Sequence, residues 1–268
     1  MDEILKAIIL GIVQGLTEFL PVSSSGHLAV IEYAFEKFGG GSEFFTENIF
    51  FDVTMHFASV LAVILFFRKR IIDIFRQGNR RILLLIVVGS IPAGIAGGLF
   101  SKLETIESIK TMPVIIGVCF LITAALLKLS DYGREAGVEL RATGFGRSLL
   151  VGTGQAIGIL PGVSRSGSTI SVGLLTGLKR EDAVTFSFFL AIPAILGATA
   201  VEAMKLASGR NDVASHAPAI IAGFVVSFVV SLVAIKLLLI IVRLKKFSLF
   251  AYYCLVAAAA TFVVVLIK

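Results

Sequence analysis

The sequence predicts an all-α integral membrane protein. It reads as a single domain over residues 1–268, with six transmembrane helices and two re-entrant helical hairpins in inverted-topology repeats. Three observations lead there. Hydrophobic residues make up 57% of the chain and charged residues 16%, with a mean hydropathy of +0.97; a soluble domain carries roughly 25% charged residues. Several apolar runs approach the ~20 residues that cross a hydrocarbon core. One polar segment also occurs twice, as GIVQGLTEFLPVSSSGH at 11–27 and GTGQAIGILPGVSRSGS at 152–168. At a constant offset of 141 residues, Gly11, Gln14, Val22, Ser23, Ser25 and Gly26 recur as Gly152, Gln155, Val163, Ser164, Ser166 and Gly167.

In chain order, the first element is the hairpin 4–35, an apolar run, a Pro/Gly break, a serine-glycine cluster and a second apolar run. Neither half is long enough to cross by itself. A broken backbone at membrane depth survives only where protein or a water-filled cavity satisfies it, and matched breaks in two halves point to a midplane site. Spans at about 50–67, 82–100 and 113–129 follow, then the second hairpin at 147–178, then spans at about 184–204, 218–242 and 249–267. The repeats run from about 1 to 112 and from about 113 to 268. FDVTMHFASVLAV at 51–63 lies against FSFFLAIPAILGA at 186–198, mostly through shared hydrophobicity. The stretches 36–49 and 130–146 read as surface loops.

Charge orients these elements. The 68–81 loop carries Arg68, Lys69, Arg70, Arg76, Arg80 and Arg81 against one acid, Asp73, which marks it as cytoplasmic. Alternation places 101–112 and 205–217 outside and 130–146 and 243–247 inside. Arg243, Lys245 and Lys246, and Lys179 with Arg180 after the second hairpin, agree. The hairpins then enter from opposite faces of a cell membrane crossed several times, with the N-terminus and the site facing outside. The net charge of +6 is therefore an orientation signal and excludes a nucleic-acid reading. Asp2 and Glu3 stand where a signal peptide would be basic, so the first run is expected to be retained. Cys119 and Cys254 lie inside apolar runs and read as small buried hydrophobes.

The charges that break these runs carry the chemistry. Glu18 lies three residues before Pro21, a carboxylate in an apolar run and so a functional residue by default. Arg165 occupies the second break, where its donor fork suits a phosphate, Glu18, or both. Ser23, Ser24 and Ser25 before Gly26, and Ser164, Ser166, Ser168 and Thr169 around Gly167, each precede a helix. They can cap it or build an anion site at its N-terminus. His27 can serve as general acid, base or nucleophile. His56 is a weaker candidate to line the same cavity. His216 reads as incidental, Lys236 as a residue reaching the cytoplasmic interface, and the symmetric Gln14 and Gln155 as structural.

QGLTEFLPVSSSGH and PGVSRSGST resemble the two signature segments of the undecaprenyl-diphosphatase family, the bacitracin-resistance-type membrane phosphatases, over essentially the whole chain. The resemblance implies hydrolysis of undecaprenyl diphosphate to the monophosphate, which recycles the lipid carrier of cell-wall synthesis. It also implies interlocked inverted repeats with a site opening to the outer face. Glu18, Ser24 and His27 fall on the first catalytic motif; Arg165, Ser166 and Thr169 fall on the second. Ser24 is the expected nucleophile with His27 as its base, beside direct attack by water. Ser23, Ser25, Gly26, Ser164, Ser166, Gly167 and Thr169 are expected to hold the phosphates. Some members carry a second glutamate where this chain has Gln14, which puts a two-carboxylate mechanism or metal site in question. The sequence makes no cofactor certain; a divalent cation, Mg2+ or Ca2+, with Glu18 as a ligand is the candidate. Expected partners are the polyprenyl diphosphate, membrane lipids and, in one arrangement, a second copy in a homodimer. The rival reading is a transporter or flippase of polyprenyl phosphate, since broken helices in inverted repeats also serve alternating access.

Overall fold

Where no water is at hand, a backbone must pair within its own segment, and the apolar runs accordingly fold as helices. The computed structural model describes residues 3–38, 49–76, 80–102, 109, 111–133, 136–206 and 216–267. The described chain is helical, with a lone bridge between Val138 and Leu178 in place of any sheet. In order, the helices are α1 (Glu3–Thr17), α2 (Ser24–Lys37), α3 (Ile49–Phe66), α4 (Arg68–Arg76), α5 (Arg80–Lys102), α6 (Pro113–Leu129), α7 (Phe145–Ile157), α8 (Arg165–Leu175), α9 (Arg180–Leu206), α10 (Ala217–Arg243) and α11 (Phe250–Leu266).

Five stretches, lying in α5, α6, α9, α10 and α11, are long and apolar enough to cross a membrane. The predicted sixth span, 50–67, is α3, whose apolar part Phe51–Phe66 falls below that length. The basic 68–81 segment, predicted as a loop, contains the amphipathic helix α4. Most of the predicted loops 36–49, 101–112 and 205–217 lie outside the described residues.

Each predicted hairpin is a pair of helices around a break, α1 with α2 and α7 with α8. Their outer helices pack across the molecule, α1 along α10 and α7 along α5. Glycine makes both contacts. A Cβ on Gly11 would meet the Gly223 carbonyl at 2.7 Å, and one on Gly152 would collide with the Gly89 carbonyl. Close backbone approach through small residues is how helices associate where no hydrophobic drive separates them from lipid.

The two pairs open toward opposite ends of the molecule. Glu3 pairs with His216 at 3.0 Å, so the start of α1 lies at the start of α10. At that end the Lys37 ammonium donates to the Val264 and Val265 carbonyls. The other end of α10 carries Arg243, paired with Glu181 at 2.9 Å. There Arg70 binds Asp182 at 2.7 Å, Arg81 donates to the Thr143 carbonyl and Arg147 to that of Thr176. Arg70, Arg81, Arg147 and Arg243 thus gather at one end, as the charge pattern predicts. The core between is apolar, with Phe67, Phe188 and Phe189 in ring contact and Phe19 edge-on to Phe188.

Candidate active site

The two breaks meet inside the molecule. A Cβ on Gly26 would lie 2.8 Å from the Gly162 Cα, and Gly162 has a φ of +93°, a conformation glycine adopts without strain. The Ser166 hydroxyl donates to the Leu20 carbonyl at 3.1 Å, fastening the second tip to the first.

Glu18 is the centre of the contact. Its Oε1 accepts from Arg165 Nη2 at 2.7 Å, with side-chain exposures of 6% and 13%. Its Oε2 accepts from the Ser24 hydroxyl at 2.6 Å and from the Gln14 amide at 3.2 Å. The same Gln14 Nε2 lies 3.0 Å from His56 Nδ1, and His56 Nδ1 lies 3.7 Å from Glu18 Oε2. Residues from α1, the first break, α2, α3 and α8 therefore converge on one carboxylate. The other guanidinium nitrogen, Arg165 Nη1, is buried with no partner among the described residues. A buried, unpaired cationic donor is costly unless an anion completes it.

The helix starts behave as the capping alternative has it. Ser164 Oγ accepts from the Gly167 amide at 3.0 Å, and Ser23 Oγ from the Gly26 amide at 3.3 Å. Ser23 takes φ +70°, unusual for a residue with a side chain. The Gly26 and Gly167 N–H groups, expected to cradle phosphate, are thus engaged by the caps. Ser166 and Thr169, also expected to hold phosphate, make contacts within the scaffold. Thr169 Oγ1 lies 2.6 Å from Ser187 Oγ and bonds the Arg165 carbonyl at 2.8 Å, holding α8 to α9. Ser25 Oγ lies 3.4 Å from Ser23 Oγ and Ser164 Oγ 3.2 Å from Ser166 Oγ.

His27 departs from the expected pairing. Its Nδ1 lies 2.7 Å from the Ser23 carbonyl, so Nδ1 carries the proton and donates. Nε2 then accepts from the Tyr253 hydroxyl at 2.8 Å, with the two rings stacked and Phe120 edge-on. Ser24 bonds Glu18, not His27.

A family model described as bacitracin resistance protein BacA matches residues 7–260. The chain belongs to the BacA family. It is 38% identical over 275 residues to the undecaprenyl-diphosphatase of Korarchaeum cryptofilum, covering 96% of this chain and 98% of the relative. It is 41% identical over 257 residues to that of Halothermothrix orenii, covering 94% of each. With that of Parabacteroides distasonis it shares 38% over 273 residues, 98% of each chain.

The donor set of this BacA-family chain does not suit a resident metal. No group of three His, Cys, Asp or Glu residues converges among the described residues. Both Glu18 oxygens are already engaged, by Arg165, Ser24 and Gln14. Three residues gained a place that sequence reasoning did not assign. Gln14, read as structural, bridges Glu18 and His56; His56, ranked low, touches the central carboxylate. Tyr253, unnoticed in an apolar span, holds His27. A polar residue level with a break, on a helix packed against it, is the signal that could have found the last two. Cys119 and Cys254 are free and buried, as expected.

Proposed function

We propose that this chain is an undecaprenyl-diphosphatase. It hydrolyses undecaprenyl diphosphate to undecaprenyl phosphate and phosphate, recycling the lipid carrier of cell-wall glycan synthesis. The observation that carries this reading is Arg165, with Nη2 on Glu18 and Nη1 buried without a partner among the described residues, on the same carboxylate that takes the Ser24 hydroxyl. A guanidinium so placed has donors ready for a phosphoryl oxygen and stabilises charge as it builds there.

In this reading the terminal phosphate lies against Arg165. Ser24 Oγ attacks its phosphorus while its proton passes to Glu18 Oε2, the atom it already bonds at 2.6 Å. The bond to the bridging oxygen breaks, and undecaprenyl phosphate leaves with the electron pair. Water then releases phosphate from Ser24. His27, with Nδ1 fixed on the Ser23 carbonyl, keeps Nε2 as an acceptor, which takes a proton from the water that releases phosphate from Ser24 once Tyr253 turns aside. Attack by a water that Glu18 activates uses the same contacts and differs only in lacking a phosphoserine.

The architecture follows the same reading. The paired contacts Gly11–Gly223 and Gly152–Gly89, one from each half, support two interlocked repeats of inverted topology. Both hairpins are re-entrant, and α3 is the sixth span. The gathering of arginine at one end supports a cytoplasmic assignment for that end. The N-terminus and the site's mouth then face outside.

The test measures phosphate release from undecaprenyl diphosphate by the purified protein in detergent, beside lipid exposure between leaflets in liposomes. Release in detergent, where no leaflets exist, is the expected result. Movement between leaflets with no release overturns the phosphatase reading in favour of a flippase.

A further inference from the structure

The proton that Ser24 surrenders needs a place to go. On Glu18 it would neutralise the carboxylate and strand the buried Arg165 cation, with exposures of 6% and 13% at the pair. An uncompensated buried charge is strongly destabilising. A second acceptor beside Oε2 removes that conflict, and the structure holds one. His56 Nδ1 lies 3.7 Å from Glu18 Oε2. The Gln14 amide sits between them, with Nε2 at 3.2 Å from Oε2 and 3.0 Å from Nδ1. An amide nitrogen only donates, so Nδ1 is an unprotonated acceptor facing the carboxylate, and the imidazole proton is on Nε2. Gln14 Oε1 is buried without a partner among the described residues. That leaves the amide's polarity set by Glu18, since turning it would place oxygen against oxygen.

We propose that His56 is a positioning residue that acts through Glu18, receiving the proton that Glu18 takes from Ser24. The inference rests on the phosphatase reading. As the Ser24 oxygen–phosphorus bond forms and the anhydride bond breaks, the serine proton moves to Glu18 Oε2 and on to His56 Nδ1. Glu18 returns to its ionised form and its pair with Arg165 is restored. The imidazolium gains an ion pair with the carboxylate in place of the Gln14 hydrogen bond. It releases the proton to the departing phosphate when the cycle closes. The His56 side chain is 30% exposed, so it is not enclosed by protein alone. The charged groups around it are Glu18 from the first break and Arg165 of α8 behind Glu18. Asp52 lies one turn earlier on its own helix α3, and α10 faces α3 there with the neutral Ser227 and Ser231. One carboxylate and one imidazole thus do together what Gln14, which cannot ionise, is unable to do.

The test compares phosphate release from undecaprenyl diphosphate by wild type, His56→Gln and His56→Ala across pH. His56→Gln keeps a hydrogen-bonding partner for Gln14 but cannot hold the proton. Its kcat should fall about 10- to 100-fold with KM within about twofold, and the acid limb of its kcat profile should change shape. Added imidazole should restore part of the His56→Ala rate. His56→Gln with wild-type kcat and pH profile overturns the proposal. So does a His56→Ala protein that imidazole does not rescue and whose loss tracks a lowered melting temperature, since that is a scaffold role. Wild type that releases no phosphate would instead overturn the phosphatase reading itself.

Discussion

At the scale of single residues, the site depends on what each charged group can exchange. Arg165 uses one nitrogen on Glu18 and keeps the other in reserve. A lysine keeps the charge and loses the fork, so Arg165→Lys should release phosphate about 100- to 1000-fold more slowly while remaining folded; near-wild-type turnover would remove Arg165 from the centre. The serines of the first break separate by partner. Ser24 donates to Glu18, whereas Ser23 caps the Gly26 amide. Ser24→Ala should slow turnover by about 1000-fold or more with little change in melting temperature. Ser23→Ala should keep turnover and lose about 1 kcal/mol of stability, the ordinary worth of a cap. Rates and thermal unfolding measured on both variants check this. Glu18 and Arg165 were legible in the sequence because charge inside an apolar run has few bland explanations, and Ser24 through its place in the first signature segment. His56 was legible only as a weaker candidate to line the cavity and Tyr253 not at all, because their partners lie 38 and 226 positions away in the chain and only helix packing brings them together.

At the scale of elements, hydropathy located the helices well, since each must satisfy its backbone internally. The breaks were equally legible, because the same polar pattern occurs in both halves. What escaped was the use of the polar groups at the helix starts. Serine before a helix reads equally as cap and as anion site, and the hydrogen bonds of Ser23 and Ser164 to the Gly26 and Gly167 amides show the cap. The glycine contacts make an element-scale prediction. A methyl group at Gly152 meets the Gly89 backbone, which cannot swing aside as a side chain can. Gly152→Ala should therefore destabilise the protein by about 1–3 kcal/mol, the usual range for overpacking. At Gly94 a Cβ meets nothing within 4 Å. Gly94→Ala should be neutral or stabilising, by up to about 1 kcal/mol from helix propensity. Apparent melting temperatures of the two variants in one detergent read the difference.

At the scale of the whole molecule, opposed hairpins explain why the site lies in the interior. The Ser166 hydroxyl on the Leu20 carbonyl and the Arg165–Glu18 pair join the two tips there, and in the proposed reading the diphosphate lies between them. The opposition is testable without any activity. Cysteines introduced singly as Gly40→Cys and Gly78→Cys, positions outside the described residues, should react with an impermeant reagent from opposite faces in a background lacking Cys119 and Cys254. Position 40 should label from outside and position 78 only after permeabilisation; labelling from one side would sink the inverted arrangement.

The central claim is that the two tips form one catalytic unit. The initial rate of phosphate release from undecaprenyl diphosphate by Ser24→Ala, Arg165→Lys and the double variant tests it most directly. Residues that act as a unit are strongly non-additive, so the double variant should be no slower than the slower single variant. Losses that multiply, or a single variant that keeps near-wild-type turnover, would contradict it.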